Sequence, residues 1–67
     1  MVFGERLQQL MKETKTTQVV LARAIGYTQR AVSKWINNQA EPTASAIYKC
    51  AKFFDVSSDY LIGLSDI

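Results

Sequence analysis

The chain contains no histidine, a single cysteine, a single proline and three glycines among 67 residues. Without histidine it lacks the commonest metal ligand and the usual general base near neutral pH. A lone Cys50 leaves no internal disulfide to form, and a reducing compartment is the expectation. No apolar run approaches the roughly 20 residues that a membrane-crossing helix needs, and no signal peptide opens the chain. Strand alternation, internal repeats, low-complexity stretches and linkers are all missing. There is no carboxylate pair at a recognisable cleft and no glycine-rich phosphate loop, so no catalytic residue, cofactor, metal or small-molecule ligand is expected. What remains is one helical domain spanning residues 1–67, short enough that its core must be well patterned.

Charge is scarce but unevenly placed. The net charge is +2. Residues 1–40 carry Arg6, Lys12, Lys15, Arg23, Arg30 and Lys34 against Glu5 and Glu13, a net of +4. Residues 41–67 carry Lys49 and Lys52 against Glu41, Asp55, Asp59 and Asp66, a net of −2. Such asymmetry suits a polyanion on one side of the molecule.

The apolar residues recur with helical spacing in five segments. Phe3, Leu7, Leu10 and Met11 define the first, whose pattern fades in the polar, β-branched run from Thr14 to Thr17. Leu21, Ala22 and Ile25 define the second; Val32, Trp35 and Ile36 the third. Gly26 ends the second with a positive φ at no steric cost, and Thr28 caps the third through its hydroxyl oxygen. After a loop from Asn37 to Pro42, in which Asn38 suits a left-handed helix end, Thr43 caps a fourth helix with Ile47, Cys50, Ala51 and Phe54 inward. Ser57 caps a short fifth helix with Leu61 inward, ending near Gly63, and Val56 plugs the gap before it. Trp35 and Cys50 share faces with apolar neighbours and are read as core.

The third helix carries the chemistry. With Val32 and Trp35 turned inward, Gln29, Arg30, Ser33 and Lys34 face outward. Gln pairs bidentately with adenine, Arg with guanine, and Lys with guanine or phosphate, so this helix fits the DNA major groove. Ala31 is placed to touch a thymine methyl. Gln18 opens the second helix, where its amide, the free N–H groups and the helix dipole together suit a phosphate oxygen. Thr28 is a capping residue with phosphate as a second partner, and Asn37, Asn38 and Gln39 form a polar loop beside the reading helix. Arg6, Lys12 and Lys15 are expected to add diffuse attraction at most.

These residues, in order, resemble the lambda-repressor-like helix-turn-helix domains of phage Cro and repressor proteins and their bacterial relatives. The resemblance runs through Phe3-Gly4-Glu5-Arg6-Leu7, Thr17-Gln18, Leu21-Ala22, Ile25-Gly26, Val32-Ser33-Lys34-Trp35, Glu41-Pro42-Thr43, Val56-Ser57 and Asp59-Tyr60-Leu61-Ile62-Gly63. It implies an all-α, compact five-helix domain that reads double-stranded operator DNA, usually as a homodimer, in a transcriptional repressor or regulator of phage or bacterial origin acting at the cytoplasmic nucleoid. It also implies phosphate contacts from Gln18 and from the loop holding Asn37, Asn38 and Gln39. Two copies would double the reading and make the operator palindromic. Phe53, Ile62 and Leu64, in the less basic half and outside the core faces, are the expected dimer surface.

The chain departs from that family in four places. Lys15 and Thr16 stand where a glycine and an apolar residue commonly precede the second helix. Val20 removes the acidic half of a capping box with Thr17, and Val19 and Val20 are expected at the surface. Met11 and Ile36 occupy the positions of a partly buried Arg–Glu pair and should pack on each other instead. The exposed valines and Phe53 keep open a second reading, a helical protein-interaction module such as an antitoxin. Steep salt dependence of duplex binding separates the two.

Overall fold

Four of the five helices start on a hydroxyl side chain. In the computed structural model, which describes residues 2–67, the elements are α1 (Phe3–Thr14), α2 (Gln18–Ile25), α3 (Gln29–Ile36), α4 (Ala44–Phe54) and α5 (Ser58–Ile62). Thr17, Thr28, Thr43 and Ser57 each accept from the N–H three residues on, at 3.2, 3.1, 3.1 and 3.0 Å. Each satisfies one donor that the helix cannot pair internally. Thr17 therefore caps α2 even though the capping box is broken; Val20 removes only the reciprocal bond a Glu would have made.

All five helices end in the same way. A residue with positive φ turns the chain, and the N–H after it bonds back across the last turn: Thr16 to Met11, Tyr27 to Ala22, Gln39 to Lys34, Val56 to Ala51 and Leu64 to Asp59, at 2.8–3.0 Å. These are 6→1 closures of the Schellman type. Gly26 and Gly63 make two of these turns at no steric cost, whereas Lys15 (φ 55°), Asn38 (φ 58°) and Asp55 (φ 55°) make the others with a side chain present. At Lys15 the departure from the family's glycine thus leaves the left-handed turn in place.

The core gathers one or more fully covered side chains from every helix: Leu7, Leu21, Val32, Ala46, Cys50 and Leu61 have no exposure. No polar or charged residue is buried among the described residues. The sequence reading of α4 omitted one core residue, Ala46, beside Ile47, Cys50, Ala51 and Phe54, which all lie in or against the core. Ala46 is fully covered while Ile47 and Phe54 are only half-buried. The stripe rotates toward the smaller side chain because α4 packs on both α2 and α5. Met11 is buried and Ile36 half-buried against the core, so both positions of the family's ion pair lie in apolar surroundings.

Two contacts fix α1. Gly4 lies against the end of α3, where an added methyl would collide with the carbonyl oxygens of Trp35 and Ile36. Arg6, from which at most diffuse attraction is expected, has a structural task. Its Nη1 donates to the carbonyls of Tyr60 (2.7 Å) and Ser65 (2.6 Å), and its guanidinium lies 4.5 Å from the Tyr60 ring centroid. It binds the end of the chain to α1 and takes no part in the α3 face.

Candidate nucleic-acid interface

The reading helix is anchored from behind by aromatic rings. Trp35 meets Phe3 of α1 edge-on at 6.0 Å between centroids and Tyr27 of the turn at 5.2 Å. Tyr27 Oη lies 3.0 Å from Thr43 Oγ1 at the start of α4. Val32 is fully covered and Trp35 nearly so. With these two inward, helical geometry turns Gln29, Arg30, Ser33 and Lys34 outward together. Gln29 and Arg30 are exposed; Ser33 and Lys34 are half-buried.

Gln18, Gln29, Arg30, Ser33, Lys34 and Gln39 line one shallow groove of about 470 Å³. The start of α2, the outer face of α3 and the loop after it thereby converge. The groove carries two cations, four neutral polar side chains and no carboxylate. Five of the residues singled out from sequence meet here. Thr28 sits at the N-terminal end of α3, occupied in capping it, with its side chain still exposed. Asn37 and Asn38 sit at the other end, exposed but outside the groove lining. Gln39, read from sequence with Asn37 and Asn38 as one polar loop beside the reading helix, is the member of that loop that lines the groove. Its N–H closes onto Lys34, which brings its side chain back beside α3, and a helix-ending Asn at 38 was the available signal.

The remaining candidates lie elsewhere. Phe53 is 40% exposed and packs edge-on against Phe54 at 4.8 Å, Leu64 is 75% exposed, and Ile62 is half-buried. Val19 and Val20 are at the surface, as expected. Cys50 is buried, and burial pushes its thiol up to about 11. A neutral thiol in an apolar site packs as a small hydrophobe and is a poor nucleophile. No group of three metal-ligating side chains occurs among the described residues, and none of their helices is long and apolar enough to cross a membrane.

The Helix-turn-helix family model matches residues 7–61, from the first core leucine of α1 to that of α5. The chain belongs to the helix-turn-helix family. It is 36% identical over 62 residues to the HTH-type transcriptional activator BcrR of Enterococcus faecalis, and 30% identical over 61 residues to Repressor protein C2 of Salmonella phage P22. These alignments cover 92% and 91% of this chain, which spans only 30% and 28% of the two relatives' lengths. The fold superposes on the P22 c2 repressor solved in complex with a synthetic operator, with a TM-score of 0.89 and 28% identity, over 97% of this chain and 98% of that one. The family consists of DNA-binding regulators rather than an enzyme class. One relative is an activator and the other a repressor, so the shared domain does not set the sign of regulation.

Proposed function

We propose that residues 1–67 form one sequence-specific DNA-binding domain of a transcription regulator, bound to double-stranded operator DNA with α3 in the major groove. The observation that carries this reading is the convergence of Gln18, Gln29, Arg30, Ser33, Lys34 and Gln39 in one acid-free groove, on a backbone matching a repressor solved with its operator. Gln29, Arg30, Ser33 and Lys34 read base edges. Gln18, Thr28, Asn37 and Asn38 hold phosphates, and Gln39 joins them. The domain works by binding, without catalysis, at the nucleoid in the cytoplasm.

Two copies act together on a palindromic site, with half-site centres about 34 Å apart. One short helix reads too few base pairs for selectivity among many competing sites. Phe53, Ile62 and Leu64 form the dimer surface. The patch is small, so dimerisation is weak in solution and strengthened when DNA brings both copies together.

The deciding experiment compares Gln18→Ala with Arg30→Ala on a site selected from random duplexes. Gln18→Ala should weaken all duplexes about equally. Arg30→Ala should cost about 1–3 kcal/mol on the selected site and relax preference at one or two base pairs. Equal loss on selected and random sequence for Arg30→Ala would remove it from the base readers. Footprints lacking symmetric half-sites, with a Hill slope of one, would remove the dimer and leave the DNA contact standing.

A further inference from the structure

A groove away from the reading face carries more cationic side chains than the reading groove does. This second groove, of about 580 Å³, runs between the end of α2 and the outer side of α4 and is lined by Arg23, Ala24, Tyr48, Lys49, Lys52 and Phe53, among others. It holds three cations and no carboxylate, against two cations in the reading groove, and the two grooves share no residue. None of the three is neutralised within the chain, since the one ion pair among the described residues joins Arg6 to Asp66. Tyr48 is 59% exposed and Phe53 40%. On α4 these residues fall at positions 48, 49, 52 and 53, one turn apart, so two aromatics and two lysines form a single stripe. Lys49 is held in position, its ammonium 5.6 Å from the Tyr27 ring centroid.

We propose that this groove is a docking site for an acidic peptide segment of another protein, one that carries an apolar anchor among its carboxylates. Carboxylates answer Arg23, Lys49 and Lys52, and the apolar anchor covers Tyr48 and, in the free single copy, the Phe53 ring that the dimer on DNA would use, so peptide and second copy compete for that ring. Duplex DNA matches only half of this chemistry. Its backbone supplies charge, but nothing apolar to take two aromatic side chains out of water. Acidic segments with interspersed apolar residues supply both, and charge complementarity of this kind selects partners and speeds encounter. The inference goes beyond the DNA-binding reading and does not rest on it.

The test uses the whole chain with isotope-labelled amides and a synthetic peptide alternating Glu with Leu and Phe, beside its Glu→Gln counterpart. The acidic peptide should shift amides in residues 23–26 and 48–53, lose affinity as salt rises, and leave residues 29–39 unmoved; the Gln peptide should not bind. Arg23→Gln with Lys52→Gln should weaken the acidic peptide by about tenfold, as expected for two exposed ion pairs. Lys49 is left intact because it rests on Tyr27 behind the reading helix. Phe53→Ser should weaken both-sided contact further. The same double variant should bind a random duplex within about twofold of the parent, with an unchanged salt slope. Amide shifts confined to residues 29–39, or none, overturn the proposal. So does a random-duplex salt slope shallower by roughly two, the loss of two phosphate contacts, which would assign the groove to the DNA backbone. The peptide measurement needs no DNA, so its failure is distinguishable from failure of the DNA-binding reading.

Discussion

Helices α3 and α4 are built by the same rules and present opposite kinds of surface. Each is capped by a threonine hydroxyl accepting at 3.1 Å from an alanine N–H, each ends on a left-handed residue, and each buries a narrow stripe. The two starts are even joined, through Tyr27 and Thr43. Outward, α3 offers amide, guanidinium, hydroxyl and ammonium groups, while α4 offers Tyr48, Lys49, Lys52 and Phe53. Capping and burial decide that a helix forms and how it docks. What it recognises depends on the side chains that those two requirements leave free, so a shared scaffold can carry a DNA-reading face and a different face side by side.

The largest expected effect tests how α3 is held compared with α4. Gly4→Ala replaces a first-turn glycine of α1 with the best helix former, which in the open would stabilise by at most about 0.5–1 kcal/mol. Here the methyl meets the carbonyls of Trp35 and Ile36. Backbone cannot give way as a side-chain tip does, so overpacking should win and destabilise by about 2–3 kcal/mol in denaturant melts. Any gain in stability would show that α3 can retreat from α1.

Helix α4 contains the one buried titratable side chain among the described residues. A raised folded-state value means that the stabilisation from neutral Cys50 is fully present below the unfolded thiol value of 9.0 and is lost as pH rises through about 11. Across that window the loss should reach on the order of 2–3 kcal/mol relative to Cys50→Ala. Parallel pH profiles for the two proteins would break this assignment.

Removing the matched caps sharpens the comparison directly. Thr28→Ala and Thr43→Ala should each lower stability by about 1 kcal/mol, but only Thr28→Ala should weaken operator binding beyond that. Equal loss of binding would mean that α4 positions α3 through the Tyr27 bridge. The smallest effect concerns the turns. Lys15 holds a positive φ that costs an L-residue about 1 kcal/mol relative to glycine, so Lys15→Gly should raise the melting free energy by up to about that amount, read by the same denaturant melts. A loss would show that the lysine makes a compensating contact.

Much of this was legible from sequence because it is local. The hydroxyls at 17, 28, 43 and 57 sit one residue before each helix and three or four before its first core residue, and capping acts over three residues. Gly26 and Asn38 announce left-handed turns by their chemistry. Lys15 and Asp55 do not; there the Schellman closure imposes the conformation on residues with no preference for it. The structural task of Arg6 was not legible for a related reason. Its carbonyl partners lie 54 and 59 residues away, and no periodicity encodes them.

Sequence alone determined the five helices, their caps and the outward set Gln29, Arg30, Ser33 and Lys34, since helix period and capping depend on neighbours within one turn. Only the tertiary structure decided that Gln18 and Gln39 join that set, that Ala46 is covered more fully than Ile47, that Gly4 is required for α1 to approach α3, and that Arg23 meets the lysines and aromatics of α4. Those outcomes depend on how close and at what angle the helices pack, which is set by the shape of the whole core rather than by any stretch of chain.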